Sequence, residues 1–398
     1  MGDIAFSCPV SRECGGCELL ATPYRVQLER KTRAMERLYE PVCRACGVSV
    51  EPVLGMNEPR GYRYKAATPL APGKRHSVRC GFYARGTHEI VRCPECAVEA
   101  PGARQMLNRV AYAIERLRIP AYDEDRHTGI ARHAVLRMAY RTDEATLTLV
   151  TNGPELPRAG ELLERLLGIE AEGRRITTVA QNVNEKRTNA VLGGRTKVLW
   201  GPPRMTDRLL GCTFEISPTA FYQTNPAQTE VLYGLAVEGA ALRDGDRVLD
   251  AYCGSGTIGL AAADRARAEG ADVELVGVER NAAGIADARR NAELNGLGDR
   301  ARFVSEDATR FIGKAAREGE RFDVLVLDPP RAGATEAFLS GALALAPGRI
   351  VYVSCNPRTH VRDLGVLVRG GYTVERIAPV AMFPHTRPCE VVAVLARR

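Results

Sequence analysis

The second half of this chain predicts a doubly wound parallel α/β sheet, preceded by a smaller, mainly antiparallel α+β unit. Three observations carry the prediction. From Arg247 onward, short β-branched apolar runs alternate with helical stretches, the pattern of parallel strands joined by crossover helices. Over about residues 79–92 and 134–151 the apolar alternation has period two, as half-buried antiparallel strands require. Pro202-Pro203 breaks the chain between the two regimes, which places the division at 204 and gives units 1–204 and 205–398.

A length of 398 residues suits two domains rather than one core. With 45% apolar and 26% charged residues, and no apolar run near the roughly 20 needed to span a bilayer, the expectation is a cytoplasmic monomer with no membrane partner. Met1 to Ser7 lacks the basic and apolar regions of a secretory signal. The formal charge of +7 comes largely from arginine, which suits phosphate contacts and points weakly to RNA. Twelve cysteines in such a chain argue for metal ligation or catalysis rather than disulfides.

Cys8, Cys14 and Cys17 form C-x5-C-x2-C, in which Gly15-Gly16 permits a tight turn that brings sulfurs onto one metal centre. Cys43, Cys46, Cys80, Cys93 and Cys96 are candidates for a fourth ligand, and an iron–sulfur cluster fits this spacing better than zinc. Thr22-Pro23 opens a helix expected to reach about Tyr39, with a basic face. The segment Tyr62-Arg63-Tyr64-Lys65 interleaves aromatics with cations and reads as a strand or a base-stacking surface. Leu162–Leu167 reads as helix; Ile176–Val183 and Lys197–Trp200 read as strands.

In the second half, Phe221-Tyr222-Gln223-Thr224-Asn225-Pro226 precedes a helix over about 227–239. The Gln223 amide matches the imide edge of a uracil, and Phe221 could stack on the ring. The strand Arg247–Tyr252 runs into Cys253-Gly254-Ser255-Gly256-Thr257-Ile258-Gly259, which satisfies G-x-G-x-x-G. Asp250 would repel a pyrophosphate, whereas it could hold the cationic end of S-adenosylmethionine. Glu279, about 25 residues after Gly254, is placed for ribose hydroxyls, and Asp307 for an adenine amine. Asp328 is held at the end of the fourth strand by Pro329-Pro330. Cys355 stands between the strand Ile350–Val353 and a helix begun by Pro357, where N–H groups and the helix dipole should lower its pKa. Glu390 begins the last apolar strand, and its bland reading is an ion pair with Arg387.

A thiol and a carboxylate together suit one difficult reaction. Carbon 5 of uracil attacks a methyl donor only after a thiolate adds to carbon 6, and a base must then remove the carbon 5 proton. Cys355 and Glu390 fit those roles, with Gln223 and Asp328 gripping the imide edge.

The segments Phe221–Pro226, Leu249–Ile258, Leu327-Asp328-Pro329-Pro330-Arg331, Val353-Ser354-Cys355-Asn356-Pro357 and Phe383-Pro384-His385-Thr386 with Glu390 resemble the RNA uracil-5-methyltransferase family. The resemblance implies a Rossmann-like class I methyltransferase domain, Cys355 as nucleophile and Glu390 as base. It implies cofactor or base contacts at Gln223, at the loop glycines Gly254 and Gly256 and at Glu279; the chemistry of the residues themselves adds Asp250, Asp307 and Asp328 on the cofactor and Phe221, Gln223 and Asp328 on the substrate. The first half is similar to the 23S ribosomal RNA branch, which implies a [4Fe-4S] cluster on Cys8, Cys14, Cys17 and Cys96, with Cys93 in reserve. The family's Tyr-Arg-Asn-Lys has Tyr64 in place of asparagine here. The chain looks like the short form without an N-terminal RNA-binding barrel, and residues about 21–53 are expected to dock on the catalytic domain. Alternatives are a transfer RNA substrate, a nicotinamide oxidoreductase with a redox cluster, and an idle RNA binder.

Overall fold

The computed structural model describes residues 6–398. A long helix, α1 (Tyr24–Cys46), passes the expected stop near Tyr39 and contains Pro41. Burial overrides the local break: Tyr39 and Val42 sink into the core of the C-terminal sheet, and the Tyr39 hydroxyl pairs with His360 Nδ1 at 2.7 Å. Cys43 and Cys46 fall on its last turns and pack against that core. Beyond the helix, Val50 and Leu54 bridge Ile377 and Val380. A cut at 204 therefore separates the two sheets but not the packing.

The N-terminal sheet has seven strands, Lys65–Pro72, Val78–Cys80, Ala131–Met138, Glu144–Thr151, Glu170–Ala171, Arg174–Val183 and Arg195–Trp200. Its pairings are antiparallel except 144–151 with 174–183, which run parallel because the helix Ala159–Leu167 carries the chain back over the sheet. Between 79 and 92 the expected strand is three short pieces, 78–80, 82–83 and 90–91, because the chain folds over at Gly81. A helix that periodicity had not signalled, Ala103–Arg116, covers this sheet with Met106, Leu107, Val110 and Ile114.

The C-terminal unit is introduced by the helix α2 (Pro226–Ala240), capped by Asn225, whose side chain accepts from Gln228 N–H. Then follow β1 (Arg247–Ala251), α3 (Thr257–Ala268), β2 (Glu274–Glu279), α4 (Ala282–Leu294), β3 (Ala301–Ser305), α5 (Ala308–Glu318) and β4 (Val324–Leu327). The chain ends with α6 (Glu336–Leu345), β5 (Arg349–Ser354), α7 (Pro357–Arg369), β6 (Tyr372–Val380) and β7 (Glu390–Arg397). The strand order is β3-β2-β1-β4-β5-β7-β6, parallel from β3 to β5, with β7 antiparallel to both neighbours. Val and Ile fill the central strands because both faces are covered by helices. Among the described residues no helix is long and apolar enough to cross a membrane.

If the Tyr39 anchor holds α1 on the sheet, Tyr39→Ala should cost about 3–5 kcal/mol in chemical denaturation. Tyr39→Phe, which removes only the hydroxyl, should cost about 1 kcal/mol.

Candidate active site

A cleft of about 890 Å³ opens at the C-terminal ends of the parallel strands. Phe221, Gln223, Asp250, Gly254, Glu279, Asp307, Asp328, Cys355 and Glu390 all line it. Gly256 does not: it caps α3 at φ 79°, and a side chain there would press on Leu260 and Phe303 at 3.1 Å. The third glycine, Gly259, has a different reason, since its N–H donates to Asp250 Oδ2 at 2.9 Å and a Cβ would collide with that oxygen. Asp250 thus organises the loop from beneath as well as facing the cleft. Glu279 accepts from Asn281 N–H at 2.7 Å, and Asp307 caps α5 through the N–H groups of Thr309 and Arg310.

The far end of the cleft is built by register. Ser354 pairs with Val391 in the antiparallel β5–β7 ladder, so the next residues outward, Cys355 and Glu390, stand opposite each other. Asn356 then caps α7, and its amide donates to the Arg331 carbonyl at 2.8 Å, tying the Cys355 loop to the Asp328 loop. Arg387 pairs with Glu18 rather than with Glu390, which has no cationic partner among the described residues.

Electrostatics correct one expectation. The Cys355 thiol is pushed up, not down: burial and the charges of Glu390 and Asp328 outweigh the nearby Arg331 and the N–H groups at the helix start. Burial raises Asp328 to about 7, and burial with the Asp328 charge raises Glu390 to about 8. Asp250 rises to about 7, by burial first and then by the charges of Asp328 and Glu279, against the Gly259 N–H. These carboxyls share a cleft and repel, so a cationic ligand relieves all of them, whereas a pyrophosphate would add to the repulsion.

Several contributors were not read from sequence. Tyr233 on α2 is buried and hydrogen-bonds the Gln223 side chain, orienting its amide. Among the described residues, the hydroxyls of Tyr222 and Thr224, on either side of Gln223, are buried without a partner. Neither carries a local sequence signal. The Phe383–Thr386 turn is held by the N-terminal segment: Gln27 donates to His385 Nδ1 and accepts from its backbone N–H, both at 3.1 Å, and Tyr62 donates to the Pro384 carbonyl.

Among the described residues no group of three or more His, Cys, Asp or Glu side chains is close enough to hold a metal ion. The cysteines named from spacing are still neighbours, for Cys17 is pushed up to about 11 by burial and then by charge on Cys96, Cys14 and Cys8. At Cys96 the N–H groups of Val98 and Glu99 point at the sulfur, whereas the Cys93 thiol donates to the Glu95 carbonyl at 2.7 Å. Burial and the Glu99 charge still push the Cys96 thiol up, against those N–H groups and Arg104.

A glycine loop after β1, acids ending β2 and β3, and this strand order define a class I methyltransferase. Residues 242–366 match the family model described as a methyltransferase domain. A Halalkalibacterium halodurans protein named as an uncharacterized RNA methyltransferase is 42% identical over 98% of this chain and 82% of its own. A Staphylococcus aureus protein so named is 35% identical over 98% of this chain and 84% of its own. The structure of Pyrococcus abyssi tRNA (uracil-54, C5)-methyltransferase with S-adenosyl-L-homocysteine superposes with a TM-score of 0.76 at 29% identity, covering 99% of this chain and 88% of that one. The chain belongs to the S-adenosylmethionine-dependent RNA methyltransferases.

The raised carboxyls set a pH dependence. Stability that rests on protonated Asp328 is full below the ordinary carboxylate range and is lost as pH rises through about 7. Asp328→Asn should therefore gain on the parent protein by about 2–4 kcal/mol between pH 5 and pH 8.5, read by denaturation without ligand.

Proposed function

We propose that the protein methylates carbon 5 of a uridine in 23S ribosomal RNA. The observation that carries the reaction type is the β5–β7 register, which stands Cys355 opposite Glu390, with Asp328 near enough for its charge to act on both. S-adenosylmethionine supplies an electrophilic methyl group. The Cys355 thiolate adds to carbon 6 of the flipped base, the π electrons pass into an enolate through the carbon 4 carbonyl, and carbon 5 takes the methyl as its bond to the sulfonium sulfur breaks, leaving S-adenosylhomocysteine. Glu390 removes the carbon 5 proton, the ring double bond re-forms and the thiolate leaves. A high pKa makes Glu390 a strong base once ionised. Protonating or otherwise neutralising Asp328 and Glu390 lowers the cost of forming the Cys355 thiolate.

Gln223, set by Tyr233, and Asp328 would hold the imide edge, with Phe221 at the exposed mouth of the cleft. Cytosine presents a different donor pattern on that edge, so the same groups would oppose it. The second reading, a transfer RNA substrate, is favoured by the likeness to the Pyrococcus abyssi enzyme.

Cys8, Cys14, Cys17 and Cys96 would hold a [4Fe-4S] cluster, with structural zinc the weaker alternative; their proximity and the N–H groups aimed at Cys96 support this set. The cationic Arg63 and Arg104 lie near enough to temper thiolate charge. Iron and sulfide analysis after anaerobic purification should find the cluster lost in Cys96→Ser and kept in Cys93→Ser; the opposite result would reassign the fourth ligand.

Fluorine cannot leave carbon 5 as a proton, so RNA containing 5-fluorouracil should trap the protein as a covalent adduct on denaturing gels. Cys355→Ala should abolish the adduct. Glu390→Gln should still form one with ordinary RNA and slow turnover by about 100-fold or more. Running 23S ribosomal and transfer RNA transcripts side by side decides the substrate, and methyl transfer without any adduct would defeat the thiol mechanism.

A further inference from the structure

The strand Lys65–Pro72 starts at the cleft and leaves it. Its root is fixed there, since Tyr64 N–H donates to the carbonyl of Thr224, beside Gln223. Eight extended residues carry the chain about 25–30 Å outward. At the far end is the turn Gly73-Lys74-Arg75-His76-Ser77, from which the chain returns through Val78–Cys80.

That turn has three unusual properties together. Lys74, Arg75 and His76 are consecutive and exposed, with Arg79 close behind on the returning strand. Arg75 and His76 both lie in left-handed backbone, at φ 54° and 63°, although neither is glycine. The loop is also braced: Gly73 N–H donates to the Ser77 carbonyl at 2.7 Å, Ser77 Oγ donates to the Lys74 carbonyl at 2.8 Å, and Arg79 Nε donates to the Pro72 carbonyl at 3.1 Å. Among the described residues the one carboxylate hydrogen-bonded to the hairpin is Glu115, which accepts from Val78 N–H at its base. Strained backbone in a sequence free to use glycine persists where a side chain is needed in that place.

We infer that this hairpin tip is an RNA-backbone grip, in which Lys74, Arg75 and Arg79 bind phosphates of the substrate RNA well away from the target base. RNA is the partner because the chain belongs to the RNA methyltransferases and because a braced cation cluster, without an ion pair among the described residues, matches a phosphate chain. The grip adds affinity without reading sequence. It leaves base selection to the cleft.

The test measures equilibrium binding of the full chain to 23S ribosomal and transfer RNA transcripts between 50 and 200 mM salt. Two charge-removing variants are used, Lys74→Gln/Arg75→Gln and Arg75→Gly, with Arg75→Lys as the control that keeps the charge. Each charge removed should weaken binding by about fivefold near 0.1 M salt and reduce the salt slope by about 0.7–0.9. S-adenosylhomocysteine affinity should not change, and Arg75→Lys should restore binding. Arg75→Gly guards against a folding defect, because glycine suits left-handed backbone better than arginine; it should lose RNA affinity while melting no lower than the parent protein. Unchanged affinity and slope in both variants would overturn the proposal, as would weaker binding with an unchanged slope. A reduced slope in a protein that methylates neither RNA would uphold the grip and defeat the uridine reading, so the two failures are distinguishable.

Discussion

The antiparallel seating of β7 against β5 is the constraint on which the active site depends. In a sheet whose other central strands run parallel, side chains after each strand collect at one edge, and residues before a strand collect at the opposite edge. Reversing β7 puts a residue that precedes a strand among those that follow one. Glu390 reaches Cys355 for that reason alone, although 35 positions separate them. A one-residue slip of this ladder would turn the carboxylate to the other face of the sheet. The long β6–β7 pairing and the bridges from Val50 and Leu54 to the outer strand hold the register from the far side.

The cleft combines burial with a group of carboxyls, and the consequences reach Asp250, Asp328, Glu390 and the Cys355 thiol. Burial makes Asp250, Asp328 and Glu390 each costly to ionise, and charge on Asp328 adds to the cost at Asp250, at Glu390 and, together with Glu390, at Cys355. The helix start after Cys355 supplies a favourable field, but its range is about one turn and it competes with two close carboxyls. The resting site is therefore best described as poised: the thiol becomes reactive when its neighbours lose charge or gain a cation.

Much of this was legible in sequence because it is local. Alternation of strand and helix gave the doubly wound sheet, and the cysteine, aspartate and glutamate that share the cleft were marked by strand ends that stop at polar residues. The illegible parts are those that distant packing decides. Pro41 predicts an end to α1, but Tyr39 and Val42 gain more from the C-terminal core than the proline costs. Tyr233 looks like any aromatic on a buried helix until its hydroxyl is seen to reach Gln223. Gly256 matches a binding motif yet faces Phe303. The thiol was misjudged because strand-end logic counts the helix dipole and has no means of counting carboxylates that arrive from other strands.

Gln27 and His385 lie 358 positions apart and hold one another. During synthesis Gln27 emerges long before the residue that it clasps. The apolar face of α1, Tyr39 and Val42 included, then waits exposed through most of translation. The cleft also closes late, because Cys355 must wait for the strand that carries Glu390. Such long-range closure is slow compared with local helix formation. A chain that stops short of that strand leaves a sticky helix behind, an obvious mark for chaperones and proteases.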